Sequence, residues 1–419
     1  MPGPVVSVDV RRKAGWLPEQ TDLESWLSRH RQRVAALGER LVLHPVTAKL
    51  KDLVEGDPVL RMYAERMVTE APVGKEYADK PVDSWDELLR MINEVLTIAP
   101  EFGDSTASTP LGAILDWPSG TTAGFAFFRD ARVNAVLKEL LGVWCDFLNG
   151  PESRYVLNDS PTGWLSEEAR ATIGIDQFAH DPDAEFDGFA SWNDFFTRRL
   201  APGARPVAAP KDGRVIANVC ESVAYGIATD VQRKDRFWIK TQPYSLVDML
   251  AGDEAVDEFV GGTVYQAFLS ANNYHRWHSP VDGTVVRAFV QDGTYFSEAD
   301  AEGADATEPT NSQSYLAHVA TRAVILLEAD EPAIGLVAVV LVGMVEVSSC
   351  IVAPAVKPGA HVDKGQELGH FQFGGSTYCL LFRPGVVAEF ALDAVPQPHL
   401  PDPPIKPVNS RLAVAGGRR

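Results

Sequence analysis

A change of texture near residue 150 restricts the fold more than any other feature of this chain. Before it, apolar residues recur at helical spacing. Trp85, Leu88, Leu89, Ile92 and Leu96 form one stripe, and Val133, Val136, Leu137, Leu140, Trp144 and Leu148 form another. Ser84 precedes the first stripe with Glu87 three positions on, the pattern of a capping box. The second stripe stops at Gly150-Pro151, and a weaker one with Leu50, Leu53 and Val54 breaks at Gly56-Asp57-Pro58. Beyond about residue 190 the apolar residues fall in short runs rich in Val, Ile, Phe and Tyr. They lie at Thr263–Leu269, Thr284–Val290, Ala323–Glu328 and Ala333–Val352, with turn signals such as Asp282-Gly283 and Asp292-Gly293 between them. The expected fold class is α+β. An N-terminal extension (1–19) leads to a helical domain (20–155), a polar, turn-rich connection (156–190) and a β-rich domain (191–419).

Charge narrows the partners. Against 57 Asp+Glu the chain carries 38 Lys+Arg, a formal net charge of −19. Nucleic-acid affinity rests on neutralising phosphates with Lys and Arg, and anionic bilayers attract basic segments, so both are disfavoured. A small molecule is the expected partner, and the chain is open to homo-oligomerisation. The longest apolar run, Ala333–Val345, is too short for a membrane span of about 20 residues. The N-terminus has the Arg11-Arg12-Lys13 cluster but no apolar stretch of a secretory signal. Cys145, Cys220, Cys350 and Cys379 lie far apart with no CxxC, as expected of reduced thiols in a cytoplasmic protein. The acidic stretch Ser297–Ser314 lacks the spacing of a calcium loop and reads as solvated chain.

Three short constellations bear chemistry. Gly374-Gly375-Ser376-Thr377 reads as a tight turn. It also places a serine hydroxyl beside a sterically open glycine carbonyl, which it can attack if a base takes its proton. In Tyr274-His275-Arg276-Trp277-His278-Ser279-Pro280 two imidazoles stand three apart. No third ligand has convincing spacing, so no metal is expected; ordinary structure or general acid–base work remains. Lys211-Asp212-Gly213-Arg214 reads as a turn, or as an acid able to orient a histidine.

Together and in this order, with Ser191-Trp192-Asn193-Asp194-Phe195-Phe196-Thr197-Arg198-Arg199-Leu200, these segments resemble the pyruvoyl-dependent phosphatidylserine decarboxylase family. His44-Pro45-Val46, Glu55–Val59, Ile98–Asp104 and Ala123-Gly124-Phe125 are similar to its soluble branch, which includes the L-tryptophan decarboxylases of the psilocybin pathway. The resemblance implies that Ser376 attacks Gly375, that the chain splits between 375 and 376, and that Ser376 becomes a pyruvoyl group. That group would form a Schiff base with the substrate amine, with neither pyridoxal phosphate nor metal. His278 would be the base for self-cleavage, oriented by Asp212, and His275 the acid–base group of decarboxylation. Trp277, Phe371 and Phe373 neighbour these groups and are candidate pocket residues, or core. The implied reaction is decarboxylation of an aromatic L-amino acid, tryptophan first. The Ser376-Thr377 pair departs from the Ser-Ser of the best-known tryptophan enzymes and matches several lipid decarboxylases, which keeps phosphatidylserine as an alternative. A non-catalytic binding module on the same fold is the alternative from another class.

Overall fold

The computed structural model describes residues 20–72, 79–103, 109–236, 244–270, 272–299, 312–346, 349–397, 400 and 403–416. The N-terminal extension and most of the acidic stretch, 300–311, lie outside the described residues.

The helical part comprises α1 (Gln20–Leu37), α2 (Pro45–Gly56), α3 (Pro58–Met67), α4 (Trp85–Val95), α5 (Pro110–Ser119), α6 (Thr122–Phe127) and α7 (Ala131–Asn149). Ser84 caps α4 as its position suggests, its hydroxyl accepting from Glu87 N at 3.2 Å. The Glu87 carboxylate reaches back one residue further than a capping box requires, to Asp83 N at 2.7 Å. The break at Gly56-Asp57-Pro58 is a junction of two helices. Asp57 ends α2 and caps α3 through Val59 N and Leu60 N, and Pro58 takes the first helical position, where its missing N–H costs nothing. The expected turn-rich connection also carries α8 (Glu167–Ile173), capped by Ser166. The short α9 (Trp192–Phe196) follows, capped by Ser191.

The β part begins with β1 (Val215–Ala217), β2 (Val223–Thr229), α10 (Leu246–Met249), β3 (Thr263–Leu269), β4 (Arg276–His278) and β5 (Gly283–Gln291). It continues through α11 (Gln313–Val319), β6 (Arg322–Ala329), β7 (Leu336–Gly343), β8 (Ser349–Val352), β9 (His361–Val362) and β10 (Glu367–Gln372). The last strands are β11 (Ser376–Phe382), β12 (Val387–Phe390) and β13 (Arg411–Ala415). The apolar region 333–352 thus holds two strands, β7 and β8. An antiparallel seven-stranded sheet runs β2-β3-β11-β7-β6-β5-β9, and two three-stranded sheets run β4-β10-β8 and β1-β13-β12.

β7 and β11 are buried on both faces, which is why they read as unbroken apolar runs. On one face Leu341, Tyr378 and Leu380 share a core with Trp277 of β4 and Phe371 of β10. On the other, Val340, Cys379 and Leu381 pack with Met249 of α10 and Leu316 of α11. A third core fills the helical part, and into it the β part inserts Tyr295, Phe296 and Phe373. Phe373 stands between the end of β10 and the start of β11, so the helices grip the chain just ahead of Ser376.

Candidate active site

Ser376 is the first residue of β11, fully buried, and paired with Leu269 of β3 on one side and Gly343 of β7 on the other. It opens an inner strand of the seven-stranded sheet, yet Oγ has no hydrogen-bond partner. A buried hydroxyl left unsatisfied costs about 1–3 kcal/mol, so its retention calls for an explanation, of which a catalytic role is one. The chain reaches it through Gly374, whose φ of +121° a side chain would rarely tolerate. The carbonyl that Oγ would attack, that of Gly375, accepts the Met344 N–H at 3.1 Å. A donor already aimed at this oxygen stabilises negative charge developing there.

His275 precedes β4 and is fully buried. Its carbonyl accepts from Phe371 N at 3.0 Å, which ties it to the strand leading to Gly375. Its ring stacks on Phe196 of α9, with centroids 4.3 Å apart, and neither ring nitrogen has a partner. Phe196 also meets Phe373 edge-on at 5.4 Å, and Phe373 in turn touches Trp192 at 4.5 Å and Trp144 at 4.8 Å. An aromatic cage from α7 and α9 therefore encloses both the imidazole and the segment before Ser376. Burial pushes His275 well below its ordinary pKa, and the charges of Arg198 and His370 act in the same direction. All three effects favour the neutral imidazole.

His278, at the other end of β4, is differently placed. Its Nδ1–H donates to the Gly365 carbonyl at 2.7 Å, and Nε2 accepts from the Tyr274 hydroxyl at 2.9 Å. A carbonyl can only accept, so the bond to Gly365 fixes one tautomer with Nε2 as the basic nitrogen. Burial lowers its pKa, and the Gly365 bond opposes the shift. Asp212 does not fill the orienting position expected of it. It is exposed, its carboxylate accepts from Arg214 N at 3.0 Å, and its carbonyl accepts from Lys364 Nζ at 2.8 Å. The physical reason is that the Asp-Gly turn spends its carboxylate locally, and the residue after Lys364 supplies the acceptor instead. No described hydrogen bond joins His278 to Ser376.

Of the aromatic candidates, only Phe373 lies in the cage. Trp277 and Phe371 are fully buried and meet edge-on at 5.0 Å within the sheet core. Residue patterns do not reveal the Met344 N–H or the Gly365 carbonyl, because backbone groups carry no sequence signature. Among the described residues no group of three or more His, Cys, Asp or Glu is placed to hold a metal ion. All four cysteines are buried thiols outside any disulfide. No described helix is long and apolar enough to cross a membrane.

The sequence is similar to those of known proteins. Phosphatidylserine decarboxylase family models match residues 44–173 and 192–397. The chain is 43% identical over 311 residues to decarboxylase iboD of Amanita muscaria, covering 70% of this chain and 88% of that one. It is 34% identical over 367 residues to L-tryptophan decarboxylase of Psilocybe cubensis, covering 81% of each. The chain belongs to the phosphatidylserine decarboxylase family. It is a carboxy-lyase, and the α+β fold expected from the sequence is the one found. A phosphatidylserine decarboxylase proenzyme of Schizosaccharomyces pombe is 31% identical over 211 residues, covering 50% of this chain and 20% of that protein. The matches to the decarboxylases of the two mushrooms cover more of the chain than the β part alone, so they extend into the residues before it.

Proposed function

We propose that this carboxy-lyase processes itself at Ser376 and decarboxylates an aromatic L-amino acid, tryptophan first. The observation that carries the reading is the buried, unpartnered Ser376 hydroxyl behind a glycine carbonyl already held by the Met344 N–H. In the processing step Ser376 Oγ bonds to the Gly375 carbonyl carbon and gives up its proton to a base. The Gly375–Ser376 C–N bond breaks and the nitrogen takes a proton, leaving an ester. Loss of the serine α-proton expels the Gly375 carboxylate, and water converts the remaining dehydroalanine to a pyruvoyl ketone with release of ammonia. His278 is the proposed base, held in the required tautomer by Gly365 rather than by Asp212.

The residues fit such a group. It would arise at a buried serine, with an unengaged imidazole on the segment hydrogen-bonded to the strand before it. When formed, it supplies a carbonyl for the substrate amine and a sink for the electrons released with carbon dioxide. His275 holds or delivers the proton at the substrate carbon, a contribution of about 10²–10⁴-fold for such catalysis. The aromatic cage excludes water from that proton transfer. Tryptophan is favoured by the similarity to the Psilocybe enzymes across the helical part.

The test joins intact mass to turnover. Two chains, residues 1–375 and 376–419, with the second blocked at its amino-terminus, are expected from purified protein. Carbon dioxide release should follow from tryptophan, tyrosine or phenylalanine but not from phosphatidylserine vesicles. An active, unsplit chain with unmodified Ser376 would refute the processing step. Release from the vesicles alone would move the substrate to the lipid.

A further inference from the structure

A cavity of about 410 Å³ is lined by residues next in sequence to those of the site, and it falls within the range of about 300–1,000 Å³ usual for small-ligand pockets. Its apolar wall includes Phe178, Val223, Phe268 and Ile405, and its polar wall Arg198 and Tyr274. Its lining residues are chain neighbours of all three parts of the catalytic region. Phe268 precedes Leu269, the strand partner of Ser376, and turns to the other face of the sheet; Tyr274 precedes His275; and Arg198 lies two residues after Phe196.

Arg198 is the unusual member. It is 4% exposed, and no carboxylate of the described residues lies within ion-pair distance of it. Its Nη2 donates to the Asn272 carbonyl at 3.0 Å and its Nη1 to Phe195 O at 3.5 Å, while Nε is buried without a partner. The guanidinium lies over the Phe178 ring at 4.3 Å. Burial lowers its pKa to about 10, so it remains cationic near neutral pH. The acid in the same wall, Glu221, is taken by Arg205 at 2.5 Å. With two arginines against one glutamate, the wall carries one uncompensated positive charge. A buried cation without a counter-ion is costly, and a carboxylate is the ligand chemistry that matches its planar fork.

We infer that this cavity captures the substrate, with Arg198 receiving the substrate carboxylate and Phe178 and Phe268 flanking its apolar part. The inference rests on the decarboxylase reading above, and it names the specificity residue of the same site. Pairing with Arg198 stabilises the carboxylate before it is lost, so the residue contributes to binding more than to the chemical step. An amino acid and a phosphoserine headgroup share this carboxylate, and the experiment separates them.

The purified, processed enzyme is titrated by calorimetry with 3-(indol-3-yl)propionate, with its primary amide and with glycerophosphoserine. None requires turnover. The acid is expected to bind at least tenfold more tightly than the amide. R198M should erase that preference, R198K should retain part of it, and in R198M KM should rise at least tenfold with kcat changed by less than threefold. Equal binding of acid and amide to the wild type overturns the inference, whatever the fate of the variants. If R198M fails to split, the wild-type comparison and R198K decide. Arg198-dependent binding of glycerophosphoserine with none of the indole acid would keep Arg198 as the carboxylate receptor and refute the aromatic reading instead.

Discussion

Two histidines of opposite character flank the start and the end of β4, His275 just before it and His278 as its last residue. His275 lies in the aromatic cage of α7 and α9 with both nitrogens unengaged, next to the segment that carries the proposed scissile bond. His278 lies three residues on with both nitrogens engaged, one by a tyrosine and one by a carbonyl. Residue type is the same for both, and they stand three residues apart. What differs is hydrogen bonding and dryness, and these suit one imidazole to taking up protons as chemistry demands and the other to a single fixed tautomer.

Removing the reacting groups breaks this contrast most sharply. Ser376→Ala should leave one unsplit, inactive chain by intact mass, and His278→Ala should do the same. A fully split His278→Ala chain would transfer the base role to His275, whose free nitrogens suit it. His275→Ala should still split, with turnover lowered about 10²–10⁴-fold when carbon dioxide release is followed on the split protein. An unsplit His275→Ala chain would merge the two roles.

The cage itself comes next. Phe373→Ala removes the ring that Trp144, Trp192 and Phe196 all touch, in a core where it is 2% exposed. A loss of about 3–5 kcal/mol in urea unfolding is expected, as for other buried Phe→Ala changes. The same variant should split more slowly, because the chain ahead of Gly375 loses its anchor. Unaltered splitting would show that the β sheet alone positions the bond.

The helical half is legible in the sequence because each helix carries its own local signals. Ser84 and Gly150 lie in sequence beside the residues they cap, and the 3.6-residue stripes need no distant partner. Thr263–Leu269 has the same ends in the sequence pattern as in β3, since alternating and branched residues bounded by glycine are also local. The catalytic neighbourhood is legible only as a set of residue types. The acceptor that orients His278 is a carbonyl 87 residues away, and the donor to the Gly375 carbonyl is a backbone N–H across the sheet. Asp212 misleads because an Asp-Gly turn and an orienting acid look alike until the fold shows what each carboxylate meets. Two-turn α8 leaves little trace in the sequence because few apolar residues fit into it.

Acidity should act on the helical and β parts alike. Burial lowers His30 to about 4 and His318 to about 3, so the folded state resists protonation that the unfolded chain accepts near 6.5. Folded values below unfolded ones mean that stability is fully present above pH 6.5 and is lost as pH falls toward 4 and 3. At about 1.4 kcal/mol for each tenfold difference in proton affinity between the two states, the loss amounts to a few kcal/mol by pH 4. Denaturation midpoints measured from pH 7 to 4 should fall steadily, and His318→Gln should flatten the slope if its protonation is part of the cause. A flat wild-type profile would contradict the buried, neutral state assigned to these imidazoles.

The smallest expected effect concerns a polar link beside the cage. Gln372 Oε1 accepts from Ser349 at 2.6 Å and from Cys145 Sγ at 3.4 Å; Asn149 donates to Cys145 at 3.5 Å, and Asn193 to Asn149 at 2.8 Å. This chain runs from α9 through α7 to the end of β10, parallel to the aromatic contacts that Phe373 makes. Its bonds are partly exposed and involve weak sulfur partners, so Gln372→Ala should cost about 1 kcal/mol, with splitting slowed less than by Phe373→Ala. If Gln372→Ala instead slowed splitting more than Phe373→Ala, hydrogen bonds rather than ring contacts would be what the helices use to hold the bond in place. His275 would then owe its position to β10 alone, and the cage would serve to keep it dry.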